Sequence, residues 1–195
     1  IGARVARKED KRFLTGKGRY TDDMNVPGMK YAYFIRSPHA HARIRSIDTS
    51  AALDMPGVIG VLDGKQMQDD GIGNLIHSKD GSPMNMGPWR PLAIDTVRYV
   101  GDAIAIVVAD SVAEARDAAE AVVVDYEVLP AVSEAVDALK SGAPQVHDNA
   151  PGNLIYDWEI GDGAAADAAI ASAAHVTEIE IHNNRLSPNP MEPRA

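Results

Sequence analysis

The sequence predicts an α+β fold with a mixed β-sheet, and three observations favour it. Short segments rich in β-branched and aromatic residues alternate along the chain with short helical patterns. The segment 103–126 has the order strand, helix, strand. The 195 residues are 45% hydrophobic and 5% aromatic, so the chain can bury a core and that core should be aliphatic. These proportions exclude wholesale disorder and allow one large domain, or one domain and part of another.

The first 90 residues carry three strand patterns, one helix pattern and one long loop. The predicted strands are Met29–Ser37, Ala42–Asp48 and Val58–Leu62. Between the last two, Thr49 or Ser50 is a candidate N-cap for a short helix over residues 51–55, which Pro56-Gly57 would end. Residues 68–90 are rich in Gly, Asp, Pro and Met and form the longest predicted loop. A loop of this length is usually either functional or mobile.

The clearest local unit has two strands joined by a tight turn, then a helix and a returning strand. The predicted strands are Asp95–Val100, Ala103–Ala109 and Val122–Tyr126. The turn is Gly101-Asp102. Ser111, with Glu114 three residues later, forms a capping box that predicts the start of the helix. The apolar face of that helix comprises Val112, Ala115, Ala118, Ala119 and Val122, and its small side chains predict a close approach to the sheet.

The composition changes after Pro130, and residues 131–151, with one short helix and a Pro-broken stretch, are predicted to be a connector. Beyond it, Asn153–Ile160 is a predicted strand, and Asp162 is a candidate N-cap for an alanine-rich helix. His175–Asn183 alternates in polarity and is predicted to be a further strand. The chain opens without an initiator Met and stops in a polar loop. We therefore expect a truncated polypeptide, a proteolytic fragment or a natural split subunit, and the sequence leaves these three open.

Charge is distributed unevenly along the chain. The net charge is −9, yet residues 1–45 hold eleven basic residues against four acidic ones, a net charge of +7. Such a basic arm can bind nucleic acid or an acidic partner, but a solvated segment at the chain end is the favoured interpretation. Nucleic acid is the weaker functional option, because the arm has no binding motif and few aromatic residues for base stacking.

Composition and spacing exclude several kinds of site. The chain has no cysteine, which excludes disulfides, thiolate metal sites, iron–sulfur ligation and a cysteine nucleophile. No apolar run approaches the ~18 residues of a membrane span. Gly71-Ile72-Gly73 lacks the strand–helix context of a dinucleotide loop, and Gly16-Lys17-Gly18 lacks the rest of a P-loop, so both favour turns. The adjacent carboxylates Asp22-Asp23 and Asp69-Asp70 are typical of surface turns.

Two groups of side chains remain as candidate sites. His39 and His41 are two residues apart and would share one face of a strand, as a metal pair requires. No third ligand is identifiable, so hydrogen-bonded structural histidines are favoured. Met84, Met86 and Trp89 either line a hydrophobic channel or fill a gap between the loop and the core. The scattered histidines, to which we assign no role, are His77, His147, His175 and His182.

Five segments, taken in order, carry a resemblance to a known family. They are RVARKEDKRFLTGKGRYTDDM at 4–24, SPHAHARIRSIDTSAA at 37–52, MPGVIGVLDGKQM at 55–67, RPLAIDTVRYVGDAIAIVVADSVAEARDAAEAVVVDYEVLPAV at 90–132, and NPMEPRA at 189–195. The series resembles the N-terminal part of the large, molybdopterin-cytosine-dinucleotide-binding subunit of the molybdenum hydroxylases. This family includes xanthine dehydrogenase, aldehyde oxidase and aerobic carbon monoxide dehydrogenase, and the similarity is greatest to bacterial three-subunit members.

The resemblance implies a domain organisation. Residues 1–15 would be an N-terminal arm, and residues 16–137 the aldehyde oxidase/xanthine dehydrogenase a/b hammerhead domain. Residues 138–151 would be a connector, and residues 152–195 the incomplete start of the molybdenum-cofactor-binding domain. The basic arm would then pack against another subunit or the cofactor domain rather than nucleic acid.

The resemblance also implies an activity. The family oxidises an aldehyde, an N-heterocycle or carbon monoxide with water as the oxygen source, and protein groups position the cofactor and supply a base. The molybdenum–molybdopterin cytosine dinucleotide would be bound mainly outside this chain. The 2Fe-2S clusters and FAD would sit on a small and a medium partner subunit. A cytoplasmic dimer of heterotrimers, at most apposed to the inner face of the membrane, is expected.

Few residues carry over from the family, and none is assigned as catalytic, cofactor-binding or metal-binding. Glu192 matches a family position near the start of the cofactor domain, where it would support the site rather than act as the base. Val100-Gly101-Asp102 matches a family turn in which Glu is common in place of Asp102, and a plain tight turn explains it equally well. The alternative to an enzyme part is a stand-alone hammerhead scaffold or interaction module without redox chemistry.

Overall fold

A computed structural model describes residues 2, 5–75, 84–85, 87–183, 186 and 189. The chain forms two compact units. The larger unit comprises residues 30–161, and the smaller unit comprises residues 1–29 together with 162–195.

The described part of the chain contains six strands and six α-helices. The strands are β1 (Tyr31–Arg36), β2 (Ala42–Asp48), β3 (Val58–Asp63), β4 (Thr96–Val97), β5 (Ala103–Ala109) and β6 (Val123–Val128). The helices are α1 (Asp10–Leu14), α2 (Ser50–Leu53), α3 (Gly64–Asp69), α4 (Val112–Ala121), α5 (Ala135–Ala138) and α6 (Gly163–Ala171). Short 3-10 turns lie at Thr21–Asp23 and Pro151–Asn153.

The strands of the larger unit form two three-stranded sheets, in the orders β1-β5-β3 and β4-β2-β6. The predicted α+β class is confirmed. The predicted mixed sheet is wrong, because all four pairings among the described residues are antiparallel. Helix α4 connects β5 of the first sheet to β6 of the second sheet. The strand–helix–strand unit therefore joins two sheets, whereas parallel pairing needs a crossover that returns to the same sheet.

Two aliphatic clusters form the core of the larger unit. One includes Ile104 of β5 and Ala42 of β2 and so joins the two sheets. The other packs Val107 of β5 against Ala118 of α4 and Ala52 of α2. The largest fully buried side chains are Leu92, Ile104, Val97 and Val107. The core thus contains the small branched side chains that the composition predicts.

Helix α4 begins where the sequence predicts. Ser111 Oγ accepts a hydrogen bond from the backbone N–H of Glu114 at 3.2 Å, and its hydroxyl donates to the Glu114 carboxylate at 2.8 Å. The N-cap is confirmed, although Glu114 bonds the serine side chain rather than its backbone. The buried face consists of Ala115, Ala118 and Ala119. Val112 is 57% exposed, so the apolar face is narrower than predicted.

Carboxylates accept hydrogen bonds at the starts of the two short helices α2 and α3. Thr49, one of the two predicted candidates, is the N-cap of α2, but its side chain makes no cap hydrogen bond. The preceding residue, Asp48, accepts through Oδ1 from the backbone N–H of Ser50 at 3.0 Å. The bonds from Ser50 lower the pKa of Asp48. Helix α3 has no counterpart among the predictions and is capped by Asp63, which accepts from Gln66 N at 2.7 Å.

Two predicted strands are absent from the structure. Asn153–Ile160 and His175–Asn183 form no ladder with any described residue. Their alternating patterns suit strands, but a strand requires a neighbour to accept its backbone hydrogen bonds. Strand β4 is also shorter than the predicted Asp95–Val100. The turn that ends at Asp102 begins early, with Asp102 N donating to Tyr99 O at 3.1 Å.

The smaller unit contains α1 and α6. Asp162 accepts from Ala165 N at 2.9 Å, which confirms the predicted N-cap of α6. Helix α1 is not among the sequence predictions. The ring of Phe13, in this helix, stacks on the ring of Tyr20 with the centroids 5.8 Å apart. The predicted turn at Asp22-Asp23 is a 3-10 turn. None of the helices in the described ranges is long and apolar enough to cross a bilayer.

Candidate functional site

A cluster of polar residues joins two turns of the larger unit, and Ser37 lies at its centre. Ser37 is only 2% exposed. Its backbone N–H donates to Asp102 O, and its backbone O accepts from Gly101 N, both at 2.8 Å. Its hydroxyl donates to His39 O and accepts from His39 N, both at 3.0 Å. The SPHAHAR turn at 37–43 and the Val100-Gly101-Asp102 turn are therefore bonded directly to each other.

The two candidate histidines of this turn have separate partners. The His39 ring meets the Tyr126 ring edge to face, with centroids 4.9 Å apart. His41 is 8% exposed, and its Nδ1 lies 2.8 Å from Pro130 O. A carbonyl oxygen only accepts, so Nδ1 of His41 carries the proton. The ranges that the structure describes contain no group of three His, Cys, Asp or Glu side chains able to hold a metal ion. The arrangement thus favours structural histidines over a metal pair.

Asp102 is the half-buried acid of the cluster. Its Oδ2 accepts from the backbone N–H of Arg98 at 3.1 Å. Burial raises the pKa of Asp102, and the hydrogen bonds from Arg98 and Tyr99 oppose that rise without cancelling it. On the other side of the turn, Arg36 donates from Nη1 to Gly101 O at 2.9 Å. The Gly101 backbone has φ +93°, which explains why glycine occupies this turn.

Arg98 extends the cluster to the segment that follows α5. Its Nε donates to Val146 O at 3.1 Å, and its Nη1 donates to Thr96 O at 3.3 Å. A cavity of about 290 Å³ lies here, with His41, Arg43 and Gln145 among its lining residues. Burial, followed by the positive charges of Arg98 and His41, lowers the pKa of His147.

The cluster holds backbone segments together, and its chemistry is that of a scaffold. No buried side-chain nitrogen or oxygen of the described residues lacks a hydrogen-bond partner. The side chains of Ser37, His41 and Arg98 are each committed to a backbone carbonyl. Hydrogen-bonded groups of this kind fix the geometry of the backbone segments that they join.

Other sequence candidates lie elsewhere. Met84 is half-buried and Trp89 is 49% exposed, while Met86 and His77 lie outside the described residues. The Met84–Trp89 alternatives, channel lining or gap filling, therefore stay open. Glu192 also lies outside the described residues.

The remaining sequence candidates are exposed, except for Gly18. Gly71-Ile72-Gly73 follows α3 and Gly16-Lys17-Gly18 follows α1, with Gly18 half-buried, and Gly16 and Gly71 adopt the positive φ of turn glycines. His175 and His182 are exposed.

Sequence reasoning missed Arg98, His147 and Asn153. The charge of Arg98 helps to lower the pKa of His147 although 49 positions separate the two residues in the sequence. Asn153 has φ +59°, a left-handed conformation that Asn tolerates better than most residues. The only local signal was the Pro151-Gly152-Asn153 triplet, which is typical of a turn.

The chain matches one family model and is similar to large subunits of known enzymes. Residues 15–130 match the family described as "Aldehyde oxidase and xanthine dehydrogenase, a/b hammerhead domain". The carbon monoxide dehydrogenase large chain of Hydrogenophaga pseudoflava is 36% identical over 97% of this chain and 24% of its own length. The nicotine 6-hydroxylase large subunit of Paenarthrobacter nicotinovorans is 39% identical over 100% of this chain and 24% of its own.

A solved structure agrees with these relatives. The crystal structure of the Cu,Mo-CO dehydrogenase in its carbon monoxide reduced state superposes with a TM-score of 0.73 and 37% identity. That match covers 90% of this chain and 23% of the other. The chain therefore spans about a quarter of the length of each of these three proteins.

Proposed function

Because this chain belongs to the aldehyde oxidase and xanthine dehydrogenase a/b hammerhead family, we propose that it is the N-terminal part of the large subunit of a molybdenum hydroxylase. The complete enzyme would oxidise an aldehyde, an N-heterocycle or carbon monoxide with water as the oxygen source. This chain would supply the hammerhead scaffold, and the chemistry would take place on the cofactor-binding remainder.

One observation carries the proposal. Two relatives, each named as a large chain or large subunit, match 97% or more of this chain at 36% identity or better. The similarity therefore extends beyond the hammerhead match at 15–130 into the residues on both sides. A stand-alone hammerhead would not need those flanking residues to resemble a large subunit.

We place the molybdenum cofactor mainly outside the described residues. They hold no cluster of ligand-type side chains, and every buried polar side-chain atom among them is already satisfied. Under the proposal, the molybdenum–molybdopterin cytosine dinucleotide is bound mainly by residues outside this chain. The polar cluster around Ser37 stiffens the scaffold and takes no step in the reaction.

We propose the following organisation for the assembled protein. Residues 1–15 form an arm, residues 16–137 the hammerhead, residues 138–151 a connector, and residues 152–195 the start of the cofactor-binding domain. The partners are the remainder of the large subunit, an iron–sulfur small subunit and an FAD medium subunit, in a cytoplasmic dimer of heterotrimers.

The composition of the native complex tests this proposal. Antibodies against the 195-residue chain isolate the complex from its source cells, and native mass spectrometry with an absorption spectrum identifies the components. We expect two further kinds of subunit, with the absorption of 2Fe-2S clusters and of flavin. A colourless particle that contains only this chain would contradict the proposal and support the stand-alone hammerhead scaffold.

A further inference from the structure

Asn153 has an unusual backbone conformation at the end of a long irregular segment. Among the described residues it is the one non-glycine residue with positive φ, at +59°, and it follows Gly152 at +63°. A left-handed conformation is costly for most side chains and persists where the surroundings hold it. The surroundings of Asn153 must therefore compensate for that cost.

The side-chain amide of Asn153 makes three hydrogen bonds across this segment. Its Nδ2 donates to Ala138 O at 3.0 Å and to Pro144 O at 2.9 Å. Its Oδ1 accepts from Val146 N at 2.9 Å. Both amide hydrogens and one oxygen lone pair are thus used. We name residues 139–152 the strap. The side chain of Asn153, directly after the strap, thus bonds the last residue of α5 and two residues in the middle of the strap.

Val146 connects the strap to the second sheet of the larger unit. Its N–H is held by Asn153 and its C=O by Arg98 Nε, at 3.1 Å. The backbone N–H of Arg98 in turn donates to Asp102. Ala150, near the end of the strap, is fully buried. A continuous series of hydrogen bonds therefore runs from Asn153 to the polar cluster.

We propose that Asn153 is the positioning residue that fastens the strap, and that the strap opens as one cooperative segment when this side chain is lost. The segment between α5 and Leu154 is then a fixed brace on the hammerhead rather than a flexible linker. This inference depends only on the larger unit and stands apart from the proposed enzyme activity.

Hydrogen exchange with mass spectrometry tests the strap in the full chain. Asn153→Gly accepts the positive φ and removes only the amide. We expect peptides over residues 139–152 to exchange at least about tenfold faster than in the parent, while β5 peptides exchange unchanged. The control is Lys140→Ala in the same strap, which removes an exposed ion pair with Asp137 and should leave exchange unchanged.

A second variant separates hydrogen bonding from shape. Asn153→Asp keeps the size and the acceptor but loses both donors to Ala138 and Pro144. The strap should therefore lose protection in this variant also. Unchanged exchange in either Asn153 variant would overturn the proposal. Faster exchange of β5 together with the strap would also overturn it, because the strap would then not open as a separate segment.

Discussion

Arg98 shows how much a single side chain can join in this molecule. It bonds the strap through Val146 O and the strand β4 through Thr96 O, and its backbone bonds Asp102. Two backbone carbonyls from distant parts of the sequence, Thr96 O and Val146 O, thus share one planar cation, a geometry to which the guanidinium is suited. The same charge influences its neighbours, because it acts against protonation of His147.

His147 should make the stability of the fold depend on pH. Burial and the charges of Arg98 and His41 lower its pKa below the ordinary 6.5, so the folded chain binds this proton less readily than the unfolded chain. The contribution of His147 to the free energy of unfolding is then fully present above about pH 6.5, and it is lost as the pH falls through the lowered pKa. We expect His147→Gln to show a smaller decline in thermal midpoint between pH 7 and pH 5 than the parent.

The control for this prediction is His175→Gln, which removes an exposed histidine from the smaller unit. It should decline with pH as the parent does. Parallel curves for the parent and His147→Gln would show that the burial of His147 does not affect folding.

At the scale of elements, the sequence predicted a strand well where the whole pattern lay within the strand itself. The bounds of β2 and β5 agree with the prediction, because the alternation of 42–48 and the apolar run of 103–109 are each contained in the strand itself. Asn153–Ile160 and His175–Asn183 carry equally good patterns but have no partner among the described residues. Pairing depends on residues distant in sequence, and a local pattern does not contain them.

The candidate site shows the same division between local and distant information. The SPHAHAR turn could be identified as a candidate from its two histidines alone. Their partners could not, because Tyr126 and Pro130 lie more than 80 positions away along the chain. The mixed sheet was predicted wrongly for the same reason, since nothing local indicates that α4 leads into a second sheet.

The cap of α4 gives a prediction at this scale. Ser111→Ala removes the acceptor for Glu114 N and leaves that N–H at the helix start without its cap. We expect a loss of about 1 kcal/mol in the free energy of unfolding, measured by urea denaturation. Ser133→Ala, at an exposed position outside the helices, should change that free energy by less than about 0.5 kcal/mol. Equal values for the two variants would mean that Ser111 does not cap the helix.

At the scale of the whole molecule, we propose that the chain serves as a scaffold, and every buried side-chain nitrogen and oxygen of its described residues has a hydrogen-bond partner. Its zero cysteine count agrees with a division of labour in which iron–sulfur clusters lie on another subunit. Its match to about a quarter of each large-subunit relative leaves the proposed cofactor site to the remaining length. The central claim is therefore about an assembly, and its most direct test measures the assembly.

That test is the molybdenum content of the native complex isolated through this chain, determined by inductively coupled plasma mass spectrometry against the amount of chain. The account predicts about one molybdenum atom for each copy of the chain, as expected when one large subunit binds one cofactor. A native preparation with this chain present and no molybdenum would contradict the account.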